Sequence, residues 1–265
     1  MLILLPPKTS ITYNITKIQN SIIMKKSIYF FLTLFILFSN QGKSQELKLD
    51  DILTKYFSTI GVEKMKGWQT VATTGKANMQ GTEYPFRIIM KRPGKIRIEV
   101  EIQSMKMIQA FDGQHAWTIV PWSGSTEPQD MTADETKVIK DEADFEGSLY
   151  NWREKGHKAE LIGKEDVDGS PAYNIKVSKA NGDIENLFID TENYVILKGI
   201  SIIKNQGNEI ESENLNSNYK EVNGVLLPFT IENKSKGKTV SHFIIDKYEV
   251  NTEVNDSMFI KPVKK

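Results

Sequence analysis

Between Lys95 and Ile102 the chain alternates without a break. Ile96, Ile98, Val100 and Ile102 are apolar; Lys95, Arg97, Glu99 and Glu101 are charged. Side chains of a β-strand point to opposite sides in turn, so a period of two specifies one apolar face and one wet face. Such a strand belongs to an antiparallel sheet, because parallel sheets are covered on both sides and read as continuous apolar runs. The preceding stretch keeps the same period: Tyr84, Phe86, Ile88 and Met90 alternate with Pro85, Arg87, Ile89 and Lys91. Arg92-Pro93-Gly94-Lys95 joins the two as a turn, Pro fixing φ and Gly permitting a positive one.

Further runs of strand character occupy 109–111 with 116–120, 159–164 with 172–178, and 185–190 with 195–203, then 212–222, 228–234 and 240–250. Asp112-Gly113, Asp168-Gly169, Asn181-Gly182 and Asn223-Gly224 stand between them, and such dipeptides favour hairpin turns. About ten strands joined by tight turns predict one meandering sheet, not alternating βαβ units. Helices are few. Leu49, Ile52, Leu53, Tyr56, Phe57 and Ile60 recur at spacings of three and four, and Gly61 follows as a left-handed cap. The apolar stripe of that helix must cover a sheet, most simply its convex side. Thr132 with Glu135 reads as a capping box, and one or two short helices are expected between Thr132 and Glu154. The expected class is mainly β with helices (α+β), in one domain spanning residues 45–265.

The N-terminus reads as an export signal with an over-long start. Residues 1–23 show no period. Met24 is followed by Lys25 and Lys26, the apolar run 28–38, and the small-x-small site Gly42-Lys43-Ser44 before Gln45. The signal peptide is therefore expected at 24–44, with cleavage near Ser44/Gln45 and a processed chain in the periplasm. The chain has no cysteine, which excludes disulfides, thiolate catalysis and zinc-thiolate sites. It also leaves no residue for lipoprotein acylation. Five of the 34 basic residues and none of the 34 acidic ones precede Gln45, so residues 45–265 carry a net charge of −5. That balance argues against nucleic acid and against simple electrostatic binding to anionic lipid.

No G-x-S-x-G, H-E-x-x-H, P-loop or G-x-G-x-x-G is present. His115, His157 and His242 lie far apart, and none has ligand spacing. Asp166-Val167-Asp168-Gly169 lacks the later acids of a calcium loop and reads as a solvated turn. Asp141, Glu142, Asp144 and Glu146 read as a wet helix face. No catalytic residue, metal site or cofactor is expected. Large soft apolar groups crowd one region instead: Trp68, Met79, Phe86, Met90, Met105, Met107, Phe111, Trp117 and Trp122. Methionine adapts its shape, which suits ligands of variable form. A curved sheet only partly plugged by short helices leaves an apolar cavity.

Lys91-Arg92-Pro93-Gly94-Lys95-Ile96-Arg97, followed by Phe111-Asp112-Gly113-Gln114-His115-Ala116-Trp117, resembles the LolA-type periplasmic lipoprotein carriers. Those carriers show an R-P-x-x-[FIL] turn and then a D-G-x-x-x-W hairpin. The order of elements is also similar: signal peptide, amphipathic helix, paired strands, central helices, further strands. The resemblance implies an unclosed antiparallel β-barrel (LolA/LolB-like) with a helical lid. Its apolar cavity would hold acyl chains of lipoproteins or lipids for delivery towards the outer membrane. On that reading the cavity is lined by Phe86, Ile88, Met90, Ile98, Val100, Met105, Met107, Phe111 and Trp117. Arg92 couples the lid, bonding its helices. An inner-membrane donor complex and an outer-membrane acceptor are the implied partners. Two other readings stand beside it: an envelope sensor of the same fold that detects lipidated ligand without transporting it, and a hydrolase with dispersed catalytic residues.

Overall fold

The computed structural model describes residues 48–124, 126–205 and 208–263. The expected signal segment and its processing point lie outside these residues. Three helices and thirteen strands are present among them. The helices are α1 (Leu49–Ile60), α2 (Val62–Met65) and α3 (Ala133–Glu142). The strands are β1 (Thr70–Met79), β2 (Thr82–Lys91), β3 (Lys95–Ile102), β4 (Met105–Phe111), β5 (Ala116–Ile119), β6 (Gln129–Asp130), β7 (Lys158–Val167), β8 (Ser170–Ser178), β9 (Ile184–Asp190), β10 (Ile196–Asn205), β11 (Asn208–Val222), β12 (Val225–Ser235) and β13 (Lys238–Val250). All belong to one sheet in the order β6-β5-β4-β3-β2-β1-β13-β12-β11-β10-β9-β8-β7, with every neighbouring pair antiparallel. β1 and β13, the first and last strands, pair in the middle. β6 and β7 are therefore the two free edges, and the segment between them carries α3. This is an unclosed antiparallel barrel with few helices.

Registers identify the two sides of the sheet. Val71 pairs with Met90, Met90 with Ile96, Ile96 with Phe111, and Phe111 with Ala116. This row faces the helices. Met65 and Trp68, after α1, pack with Val71 and Val225, while Ile139 and Ala143 of the α3 segment pack on Ile96, Phe111 and Ala116. The helical layer thus lies over the apolar strand positions themselves. Ile52, Leu53, Tyr56 and Ile60 of α1 are buried, and Gly61 ends the helix at φ 74°. A Cβ on Gly61 would stand 2.2 Å from the Gly224 carbonyl oxygen, so only glycine lets this corner press on the β11–β12 turn.

The other side of β1–β5 is not wet throughout: Lys76, Arg87 and Glu101 towards the hairpin tips are exposed, but the part near Ile89 is covered. Here Ala72 pairs with Ile89, Ile89 with Arg97, Arg97 with Ala110, and Ala110 with Trp117. The C-terminal tail covers this row, Val254 and Phe259 packing on Ala72 and Ile89. Trp117 Nε1 donates to the Phe259 carbonyl at 2.7 Å, and Arg97 Nη1 to that of Met258 at 2.7 Å. Arg97 and Glu99 of the charged phase are consequently largely buried and paired, Arg97 Nε bonding Glu99 at 2.6 Å and Lys106 reaching Glu99 at 3.1 Å, while Glu101 nearer the tip is exposed. Alternation set the strand correctly, but the charged side faces the chain's own tail.

Candidate functional site

Eight of the nine expected cavity residues share the helix side. Phe86, Ile88 and Met90 stand on β2, Ile98 and Val100 on β3, and Met105, Met107 and Phe111 on β4, all in one phase of the ladder. Trp117 does not. It is fully buried on the opposite side, its indole N–H committed to the tail. Tryptophan at this spacing signals a hairpin core, and nothing in its neighbours in sequence revealed which layer it serves.

The helix side divides along the strands. Near the Arg92 end, Ile88, Met90, Ile96, Ile98 and Phe111 lie under α3. Towards the hairpin tips a second cluster joins Ala77, Phe86, Val100 and Ile245 with the partly exposed Met79, Tyr84, Ile102, Met107, Phe229, Ile231 and Phe243. No helical residue takes part in that second cluster. Phe86 and Phe243 meet edge to face at 5.2 Å, and Met105 at the tip is 38% exposed.

Helix α3 bridges the open sheet. Thr132 caps it as expected, accepting from Glu135 N while the Glu135 carboxylate accepts from Thr132 N. Its apolar side is given to β3–β5. On its polar side Lys137 Nζ reaches Asp183 at 2.8 Å and the Lys204 carbonyl at 2.9 Å; Asp141 takes bonds from Lys179 and Asn181. The acidic cluster is therefore not a free wet face. Asp141 ties α3 to the β8–β9 turn, Asp144 pairs with Lys155, and Glu146 pairs with Arg92.

Arg92 sits where the β2–β3 turn meets the helices. Its Nε donates to the Trp68 carbonyl at 2.8 Å, and Nη2 to that of Met65, the last residue of α2, at 3.4 Å. Both Nη atoms bond Glu146, at 2.5 and 3.3 Å, and the guanidinium lies 4.5 Å from the centre of the Phe145 ring. One side chain thus joins a strand turn, the helix at the N-terminus of the sheet and the segment after α3. The Glu146 partner was missed from sequence, because it became visible only once α3 ended at Glu142. A cleft of about 750 Å³ opens beside it, lined by Arg92, Lys95, Phe111, Lys140, Phe145 and Glu146 among others. This cleft is of mixed polarity and lies at the opposite end from Met105.

An open antiparallel sheet with helices on its apolar side defines a LolA-like fold. Comparison of the structure with solved ones supports this. A LolA superfamily protein from Nitrosomonas europaea is similar at a TM-score of 0.55 and 13% identity, covering 81% of this chain and 98% of that one. A DUF1329 family protein from Desulfovibrio piger gives a TM-score of 0.55 at 11% identity, covering 79% of this chain and 97% of that one. A domain assigned to outer membrane lipoprotein sorting from Vibrio parahaemolyticus gives 0.54 at 11% identity, covering 79% and 94%. No family model matches the sequence, and no curated protein does.

Proposed function

We propose that the protein is a periplasmic carrier that takes acyl chains of lipoproteins or lipids onto the helix side of its sheet and hands them towards the outer membrane. One observation carries this reading. The apolar surface continues past the helices to the hairpin tips, where Met79, Ile102, Met105, Met107, Ile231 and Phe243 are left partly exposed. A sheet that only had to be stable would cover them. The LolA-like fold supports the reading, as does the assignment of the Vibrio parahaemolyticus domain to lipoprotein sorting.

Magnitudes shape the mechanism. Hiding a sixteen-carbon chain from water is worth about 13 kcal/mol at ~0.8 kcal/mol per CH₂. Three fully captured chains would exceed the non-covalent ceiling of roughly 18–21 kcal/mol and could not be released. A surface that the cargo covers only in part, lined by adaptable methionines, captures less and lets go. Arg92 serves as the link between turn, helix and α3 segment that holds the cover in place. No bond need be made or broken in the cargo, so no catalytic group is required.

The test is extraction of the processed protein with organic solvent and mass spectrometry of what co-purifies, followed by titration of the stripped protein with a fluorescent acyl probe. Acyl lipid in the extract and saturable probe binding are expected. A clean extract together with no binding would sink the proposal.

A further inference from the structure

One cation stands beside the apolar wall with no acid to meet it. Lys220, near the end of β11, is exposed, and its ammonium lies 4.6 Å from the centre of the Phe229 ring. Among the described residues no carboxylate comes within 4 Å of it. Lys220 pairs in register with Leu227, which packs on Met65, Trp68 and Val225 on the helix side; Glu221, the next residue, pairs with Leu226 and so takes the other side. The nearby phenols are committed elsewhere. Tyr248, whose ring meets Phe229 at 5.2 Å, donates to the Pro228 carbonyl at 2.7 Å, and Tyr219 donates to that of Ile196 at 2.6 Å. An ammonium has three N–H donors, and a ring face attracts its charge without accepting them all. Lys220 therefore keeps donors free for an anion.

The ring beneath it belongs to the cluster that no helix covers. Phe229 packs there with Phe86, Val100 and Ile245. Partly exposed apolar residues continue from it across the sheet: Ile231 pairs with Phe243, Phe243 with Ala77, Ala77 with Tyr84, and Ile102 with Met105 at the tip. No acid interrupts this path. Glu83, Glu99, Glu101, Glu232 and Glu249 all take the other phase of their strands, and Asp246, at the β13 bulge, acts on Lys76 of that same side. Further round the sheet Lys179 and Glu185 face each other at 3.6 Å, and Lys179 also pairs with Asp141. The wall thus begins at an unpaired positive charge and runs to the tips without another. A chain lying along it would bring its head group to Lys220, where a negative head forms a charge-assisted hydrogen bond and a neutral one forms a weaker bond.

We propose that the preferred cargo is an anionic amphiphile, its chain on Phe229, Ile231, Phe243 and Tyr84 and its carboxylate or phosphate on the Lys220 ammonium. This rests on the carrier reading above. The experiment measures binding of oleate and mono-olein to the stripped, processed protein at pH 8, below the concentrations at which either lipid self-associates. Oleate is expected to bind about ten-fold tighter, the factor that one hydrogen bond between charged groups supplies. Lys220→Met keeps an apolar stem on Phe229 and removes the charge, so it should close the gap by weakening oleate while mono-olein binds as before. Lys220→Arg should keep the gap. High salt should narrow it in the unmodified protein, since the ammonium is exposed, and this arm needs no variant to fold. Oleoyl lysophosphatidate distinguishes the source: binding tighter than oleate assigns the head to a phospholipid phosphate, weaker binding to a free fatty acid. Oleate no tighter than mono-olein, or a gap that persists in Lys220→Met, overturns the inference and leaves the carrier standing. Binding of none of the three lipids removes the carrier reading and the inference with it.

Discussion

The two parts of the sheet are stabilised differently. Near the Arg92 end, strands β1–β5 are covered on both sides, by α3 on one and by Val254 and Phe259 of the tail on the other. Strand β11, the longest, carries the sequence NEIESENLNSNYKEV and has no fully buried residue. It holds its place through ladders to β10 and β12. Side-chain burial fixes the first part, and β8 and β9 as well, whereas backbone pairing with modest burial fixes β11. Local opening is cheapest where buried apolar contacts are fewest. Strand β11 is therefore the one that can give way to cargo while the first part keeps its shape.

That contrast is easiest to break in the cores. Phe259 is fully buried beside Ala72 and Ile89, so Phe259→Ala should cost about 3–5 kcal/mol. Ile200, half-buried against Val167, Ala172 and Phe188 on the same side of the second part, should cost only about 1–2 kcal/mol on change to Ala, because part of its surface stays wet. Urea denaturation of both variants gives the comparison. Equal losses would mean that the two parts are held alike.

Arg92 comes next. Hydrogen bonds to a charged donor contribute about 1.5–3 kcal/mol, and Arg92→Leu also strands the largely buried Glu146. Arg92→Lys should recover only part of this, since an ammonium lacks the planar fork that meets Glu146 with two bonds. Lipid handover to acceptor membranes, measured at matched thermal stability, should change in the leucine variant by about ten-fold. An unchanged rate would make Arg92 a brace without a role in transfer. A smaller effect belongs to Glu99→Lys. It places a third cation between Arg97 and Lys106 in a site the tail shields, and should cost about 1 kcal/mol by thermal melt. A silent change would mean that the tail does not close over β3.

Much of the first part was legible in the residues. Alternation in 84–102 gave β2, β3 and their pairing side, and the Thr132–Glu135 pair gave the start of α3. Strand β1, TVATTGKANM, was missed because its inward positions include Thr73 and Gly75; glycine there lets the Phe86 ring lie across the backbone. The side occupied by Trp117 was misread, since period two separates two faces without naming what covers each. The tail was illegible for the same reason: Val254 stands alone, and Met258-Phe259-Ile260 is too short a run to show a period. Lys220 and Phe229 belong to two strands, and only register brings the ammonium over the ring.

The smallest predicted effect tests whether the tail is clasped by charge as well as by packing. Asp256 lies at the surface between Lys91 at 2.6 Å and Lys95 at 2.8 Å. Hydrogen bonds from Lys91 and then Lys95 hold its carboxyl down at about 2. A carboxyl lowered in the folded state adds stability that is fully present above its unfolded value of roughly 3.9 and is lost as pH falls towards the folded one. Asp256→Asn removes that contribution at every pH. The gap in denaturation midpoint between the unmodified protein and the variant should therefore be constant above about pH 5, shrink between about 4 and 2, and vanish below. Salt should narrow it too, since the pair is exposed. The contrast between the two parts depends on the tail staying down. A gap that ignores both acid and salt would mean that Phe259 and Val254 hold the tail without help from the charge at Asp256.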